Sequence, residues 1–201
     1  MKMWEERFAA SKDYVFGTEP ALFLQDNVHL LKPNDQALVL ADGEGRNSIF
    51  MAQQGVNVTA QEFAPSAIAR ARALAKARQV EIEVEQTNIF DRNWPADAFD
   101  LVAGIFIQFA GPEQRNDLFS NIKHTVKPGG LVMLHGYTPK QLEYGTGGPP
   151  FVENMYSELI LSASFEGWDV LECREHDRQI QAGHAHSGMS ALIDFIARKP
   201  D

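Results

Sequence analysis

The strongest constraint in this chain lies at residues 37–47, Ala37-Leu38-Val39-Leu40-Ala41-Asp42-Gly43-Glu44-Gly45-Arg46-Asn47. Four apolar residues run directly into two glycines spaced Gly-x-Gly, and an amphipathic segment follows. That order reads as the first strand, tight turn and first helix of a nucleotide-type α/β domain. The glycines let a ligand approach the backbone, and the helix start offers N–H groups with no partner inside the helix.

The rest of the chain repeats the strand–helix alternation. Val56–Phe63 alternates as a second strand ending at Glu62, and Pro65 opens a long helix through Arg78. The arginines of that helix, Arg70, Arg72 and Arg78, read most simply as a solvated face. Val80–Gln86 gives a third strand and Phe99–Phe109 a fourth, apolar enough to be central. Pro112–Val126 is a helix, Lys127-Pro128-Gly129-Gly130 a sharp turn, and Leu131–Gly136 a fifth strand. Residues 137–150 form an irregular stretch of the length that is usually functional or disordered. Phe151–Ser164 reads as a helix. Trp168–His176 and Met189–Ala197 read as two final strands joined by a loop. Before all of these, residues 1–12 predict a short helix with Trp4, Phe8 and Ala9 on one face. An aromatic loop follows at Asp13–Pro20, then a helix from Pro20 to about His29.

The expected fold is therefore α/β, a doubly wound, mostly parallel seven-stranded sheet with an antiparallel last strand and helices on both faces. The 201 residues suffice for one such domain, with residues 1–30 as an N-terminal helical or lid segment. The formal net charge of −9 argues against non-specific nucleic-acid binding, and no apolar run approaches a membrane span. The single cysteine, Cys173, excludes an internal disulfide and suits a reducing cytoplasm. Oligomeric state is not encoded legibly.

In such sheets ligands bind beyond the carboxyl ends of the strands, which here are residues 42–47, 62–63, 87–90, 107–111 and 135–148. Asp42 and Glu44 in the turn bear on the ligand's charge. Facing a pyrophosphate at ~4 Å, with an effective dielectric near 20, a carboxylate is repelled by about 4 kcal/mol before screening. Ser48 also stands where a dinucleotide fingerprint has its third glycine. S-adenosylmethionine fits better, since its sulfonium and ammonium suit carboxylates and its own carboxylate suits helix N–H groups. Glu62 is placed to accept hydrogen bonds from both ribose hydroxyls. A nicotinamide-dependent oxidoreductase and a non-catalytic cofactor-binding regulatory domain stand as alternatives.

Several stretches carry a resemblance across nearly the whole chain: Tyr14-Val15-Phe16-Gly17-Thr18-Glu19-Pro20, Leu40–Asn47, Val58–Glu62, Lys127-Pro128-Gly129-Gly130 and Gln141-Leu142-Glu143-Tyr144-Gly145-Thr146-Gly147-Gly148-Pro149. The chain resembles the small bacterial class I S-adenosylmethionine-dependent methyltransferases, specifically the group similar to tellurite-resistance methyltransferases. The resemblance implies cofactor contacts at Gly43, Gly45 and the Arg46-Asn47 backbone, ribose binding by Glu62 and adenine packing by Phe63. It places Asn88 and Ile89 at the adenine edge, and Ile105–Gln108 near the methionyl part. Two departures are visible. Ala41 occupies the superfamily's usual acid position, leaving open whether Asp42 or Glu44 meets the cofactor amino group, and Asn47 replaces the third glycine.

The acceptor of such an enzyme is a small molecule. A thiol or chalcogen acceptor needs no base, whereas an oxygen or protonated nitrogen does. His135, at the end of strand five, is the best-placed base, and as an alternative it is a strand-end histidine bonded to backbone. Tyr137 stands beside it, with Tyr14, Gln108 and Tyr144 as further acceptor-pocket candidates. His184-Ala185-His186 invites a metal reading, but without cysteine support a polar loop is favoured and no metal is expected. His186 and Gly188 resemble a His-x-Gly near the end of family members, which would put His186 in the acceptor pocket.

Overall fold

The structure is a computed structural model and describes residues 2–183 and 186–201. Its helices are α1 (Lys2–Ala10), α2 (Leu22–Asp26), α3 (Arg46–Gln53), α4 (Pro65–Arg78), α5 (Pro112–Thr125), α6 (Gln141–Tyr144) and α7 (Glu158–Ser164). Its strands are β1 (Gln36–Leu40), β2 (Asn57–Glu62), β3 (Glu83–Gln86), β4 (Phe99–Ile105), β5 (Val126–Tyr137), β6 (Asp169–Ala182) and β7 (His186–Arg198). They form a seven-stranded sheet in the order β3-β2-β1-β4-β5-β7-β6. The chain divides into two compact units, Met1–Arg92 with Ala182–Ala185, and Asn93–Gln181 with His186–Asp201. His184, half of the pair that invited a metal reading, lies outside the described residues. No helix among the described residues is long and apolar enough to cross a membrane.

In the first unit β1 pairs parallel with β2, and β2 with β3. The inward positions of β1, Ala37, Leu38, Val39 and Leu40, are all buried, as a strand covered on both faces requires. α4 keeps small residues, Ala67, Ala71 and Ala75, on its buried side. That lets the glycine turn approach closely: a Cβ added to Gly45 would lie 2.8 Å from Ala71 Cβ and 2.9 Å from Ile49 Cδ1. Gly45 also has φ +90°. Its lack of a side chain is therefore a requirement of helix packing and backbone conformation.

The second unit pairs β4 parallel with β5 and β5 antiparallel with β7, which confirms the antiparallel closing strand. Three expectations are corrected here. Residues 127–130 do not interrupt the fifth strand; β5 runs from Val126, with a register shift between Phe99 and Leu101 of β4 absorbing the irregularity. The loop expected at Asp177–Gly188 is mostly strand, because β6 and β7 extend into it. The helix expected from Phe151 begins at Glu158, where Ser157 caps it by accepting the Ile160 N–H at 3.3 Å.

The irregular stretch after β5 is tied to the sheet by Gln141 and by Thr146, whose Oγ1 donates to Met189 O at 2.6 Å. Buried Gln141 donates to Thr146 Oγ1 and Gly147 O, and accepts from Ala191 N of β7 at 2.8 Å. One amide thus ties both ends of the glycine-rich loop to the sheet.

Candidate functional site

The first unit builds its site at the β1–α3 turn. Ala41, in the usual acid position, adopts φ +45°, a conformation that costs a non-glycine residue about 1–2 kcal/mol. It is held there by Gln61, whose Oε1 accepts the Ala41 N–H at 2.9 Å and whose Nε2 donates to Thr87 O at 2.5 Å. Gln61 is almost completely buried and spans the ends of three strands, a role no local sequence pattern announces.

Each acid of the turn has protein partners. Asp42 accepts from Ser48 Oγ at 2.5 Å and from Ser48 N at 3.3 Å. Burial pushes its carboxyl up to about 6, assisted by the Glu62 charge and opposed by the Ser48 hydrogen bonds and Arg46. Glu44 accepts the Val15 N–H at 2.7 Å and pairs with Arg70 at 2.5 Å. Of the two, Asp42 stays at the turn, while Glu44 is committed to the N-terminal segment. Asn47 does not cap α3. Gly45 occupies that position, and the Asn47 side chain accepts the Ala21 N–H at 3.0 Å. Buried Arg46 reaches Phe16 O and lies 5.9 Å over the Phe16 ring.

Glu62 ends β2 and turns back onto the glycine turn. Oε2 accepts the Gly43 N–H at 2.8 Å, and Oε1 accepts those of Phe63 and Ala64 at 2.8 and 2.9 Å. A carboxylate has about four acceptor sites, so these bonds leave about one, on Oε2. The expectation of a bond to each ribose hydroxyl narrows to one. Burial raises the Glu62 pKa, the three backbone donors pull it back, and Glu5 pushes it further up.

Phe63 joins an apolar cluster with Trp4, Phe8, Val15, Phe16, Ala64 and Ala67. Phe8 stacks on Trp4 at 5.9 Å, and its ring tip lies 3.5 Å from a Cβ built on Gly43. The helix that carries these rings is latched to α4. Glu5 accepts from Ser66 N at 3.2 Å and Ser66 Oγ at 2.6 Å, capping a helix whose own N-cap is Ala64. Arg70 donates to Ser11 O and Asp13 O, Tyr14 Oη donates to Arg70 O at 3.2 Å, and Arg78 pairs with Glu19 at 2.8 Å. Arg70 and Arg78 are thus a latch for residues 5–19 where the sequence suggested a solvated face. Tyr14, expected in the acceptor pocket, spends its hydroxyl on α4.

Asn88 closes an Asx turn, accepting the Phe90 N–H at 3.2 Å and donating to Asp91 at 2.8 Å. Ile89 beside it is buried.

The second unit groups its candidates around the end of β4. Ile105 is buried, and Phe106 leaves the strand at φ +59°. The Phe106 ring lies 4.8 Å from His135, 4.9 Å from Tyr137 and 4.7 Å from His186. Tyr137 and His186 are 5.7 Å apart, edge to face. The structure therefore brings His135, Tyr137 and His186 together around Phe106, which lies within the Ile105–Gln108 stretch that the resemblance put near the methionyl part. Gln108 is different. Its amide donates to Tyr137 O and accepts from Tyr137 N, both at 2.7 Å, replacing β4 backbone after the strand has ended. Gly136 makes room, because a Cβ there would meet Gln108 at 2.6 Å. That is a structural role where an acceptor contact was expected. Tyr144 is likewise drawn outward, its hydroxyl donating to Asp177 at 2.8 Å beside Lys140.

His135 carries a partner absent from the sequence reading. Its Nδ1 lies 2.6 Å from Asp194 Oδ1, directly across the β5–β7 register. Among the described residues no group of three or more His, Cys, Asp or Glu is arranged to hold a metal.

Comparison with known proteins bears on the fold. Residues 37–130 match a family model described as a methyltransferase domain. An uncharacterized protein of Mycobacterium tuberculosis is 30% identical over 111 residues, covering 55% of this chain and 40% of that protein. The match thus spans 40% of the length of the curated relatives. The structure of TehB from Haemophilus influenzae superposes with a TM-score of 0.72 at 18% identity, over 89% of this chain and 62% of that one. A structure solved in connection with the conversion of a disulfide bond into a thioacetal group during echinomycin biosynthesis gives 0.81 at 15% identity, over 99% and 91%.

Proposed function

We propose, from the premise that residues 37–130 form a methyltransferase domain, that this chain is an S-adenosylmethionine-dependent methyltransferase acting on a small molecule. The observation that carries the cofactor assignment is Glu62, fixed against the glycine turn by the Gly43 N–H and by the N–H groups of Phe63 and Ala64, with about one acceptor site to spare.

The residues of the first unit suit the cofactor piece by piece. Glu62 takes a ribose hydroxyl. Phe63, half-buried, offers a flat apolar face for adenine, and Asn88 and Ile89 its polar and apolar edge. The first turn of α3, at Arg46 and Asn47, is a carboxylate site, since its N–H groups and helix dipole favour an anion. Asp42 is the acid that meets the cofactor's positive charge, because Glu44 is already paired with Arg70. When bound, S-adenosylmethionine supplies an electrophilic methyl group on a sulfonium.

The chain's own work is to hold the acceptor in line with that carbon, exclude water and manage any proton. His135 is the base where one is needed, with Tyr137 beside it and His186 completing the aromatic group. A thiol or chalcogen acceptor and a protic nitrogen or oxygen acceptor differ in whether His135 is used. The single cysteine and the net charge of −9 suit a cytoplasmic enzyme with no nucleic-acid partner.

Calorimetric titration of Glu62→Ala tests the cofactor assignment. Loss of a charge-assisted bond weakens binding by about 1–3 kcal/mol, roughly tenfold to a hundredfold. Unchanged affinity in a folded variant rejects it.

A further inference from the structure

Within β7 the stretch Ala191–Ala197 is apolar but for one acid. Asp194 is buried between Ile193 and Phe195, both fully enclosed. Burying a carboxylate costs several kcal/mol and is often no better than an apolar residue of similar size. Stability therefore does not explain the choice of an acid there. What the acid touches does. Oδ1 meets His135 Nδ1 at 2.6 Å, and Oδ2 receives His176 Nε2 at 2.8 Å and Arg174 at 3.1 Å. His135 stands opposite on β5, while Arg174 and His176 occupy alternate positions of β6 and so share a face. Arg174 is itself paired with Glu172 at 3.3 Å.

This geometry sets the tautomer of His135. Burial pushes the Asp194 carboxyl up, but the hydrogen bond and charge of His135, with His176 and Arg174, outweigh it and hold it below its ordinary value. An ionised carboxylate has no proton to donate, so Nδ1 carries the hydrogen of the pair. In the neutral ring Nε2 is then the unprotonated nitrogen, the arrangement a general base requires. A soft thiolate or chalcogen anion, already ionised, has no use for this device.

We propose that Asp194 is the positioning residue of a general-base pair with His135, and that the acceptor is a protic nitrogen or oxygen nucleophile that loses a proton as it is methylated. The acceptor assignment rests on the methyltransferase reading above. In the step, the acceptor's lone pair bonds to the methyl carbon as the carbon–sulfur bond breaks and leaves its electron pair on sulfur. The acceptor's N–H or O–H proton passes to His135 Nε2 and then to solvent. Arg174 and His176 keep Asp194 ionised and oriented.

Two measurements on the full chain test this. The first is ¹⁵N imidazole NMR of the wild type, with His135→Gln to assign the ring and Asp194→Asn to remove the charge. The expected result is an Nδ1–H tautomer at His135 that is lost or mixed in Asp194→Asn. A wild-type Nε2–H tautomer, or one indifferent to Asp194→Asn, overturns the pairing. The second is labelled methyl transfer to phenols, carboxylic acids and amines, set against thiols and selenide. The expected result is transfer to the protic set, with kcat reduced about 100-fold or more in His135→Gln and Asp194→Asn, little change in KM, and partial recovery in Asp194→Glu. Transfer confined to thiols or selenide, or to no member of the panel while S-adenosylhomocysteine still binds, overturns the acceptor assignment. Should Asp194→Asn fail to fold, the wild-type tautomer and the His135→Gln kinetics decide the question. Absence of S-adenosylmethionine binding to the wild type removes the methyltransferase reading instead, and the tautomer measurement alone then judges the role of Asp194.

Discussion

Asp42 shows how one residue couples the site to the stability of the fold. Its carboxyl is raised from 3.8 to about 6 by burial. Between those values the folded chain keeps a proton that the unfolded chain has released. Stability therefore falls as pH rises through that window and stays lower above it, by about 3 kcal/mol for a shift of this size. Asn in its place retains both bonds to Ser48, accepting from the N–H and donating to Oγ. Asp42→Asn is expected to be the more stable protein at pH 8 by up to about 3 kcal/mol, with the gain vanishing below pH 4. Urea unfolding across that range checks it, and a difference independent of pH contradicts it. Gly45 makes the opposite case, because its side-chain space is already filled by Ala71 and Ile49. Gly45→Ala is expected to lose about 2–4 kcal/mol from strain and overpacking, before any question of ligand arises. Thermal unfolding of the variant without ligand measures this, and a wild-type midpoint would refute it.

Among the elements, α4 does more than cover the sheet. Ser66, Arg70 and Arg78 recur at helical spacing and take partners at Glu5, Ser11, Asp13 and Glu19. The link at Arg70 matters most, because Glu44 beneath it is almost fully buried while Arg78–Glu19 is largely exposed. Arg70→Ala leaves Glu44 with the Val15 N–H but without its cation, at a cost of about 2–4 kcal/mol. Residues 5–19 should then lose hydrogen-exchange protection and become the first site of limited proteolysis. Arg78→Ala should change stability by less than about 1 kcal/mol, as exposed pairs do. Equal effects from the two variants would show that the latch does not centre on Arg70.

At the scale of the whole molecule, what was legible in the sequence was what is local. The apolar run of β1, the two turn glycines and Glu62 at the end of β2 are each readable within a few residues, and the structure puts them at one turn. The mostly parallel sheet followed from the βα repeat, and its antiparallel last strand from the closing strand pair. The latch on α4 was not legible, because its pairs lie 56 to 61 residues apart in the chain. The full length of β6 was hidden for another reason: the strand was read as far as His176, and beyond it the residues Asp177-Arg178-Gln179 are polar, so no apolar alternation carries the reading on to Ala182. Asp194 did leave a signal, a single acid in an apolar strand, and its meaning needed the register that sets it opposite His135. Gln108 and Tyr144 looked like pocket residues from their positions near strand ends, and hydrogen bonds invisible to spacing claimed both. Charge is a property of the chain as a whole, and with a net −9 no mobility shift with duplex DNA or RNA is expected at 150 mM salt.

The central claim is that the turn at residues 42–47, closed by Glu62, holds S-adenosylmethionine. Isothermal calorimetry of the wild-type chain with S-adenosylmethionine, S-adenosylhomocysteine and NAD tests it most directly. Saturable one-to-one binding of the first two, with none of NAD, is the predicted result. Binding of NAD with neither of the others would contradict it.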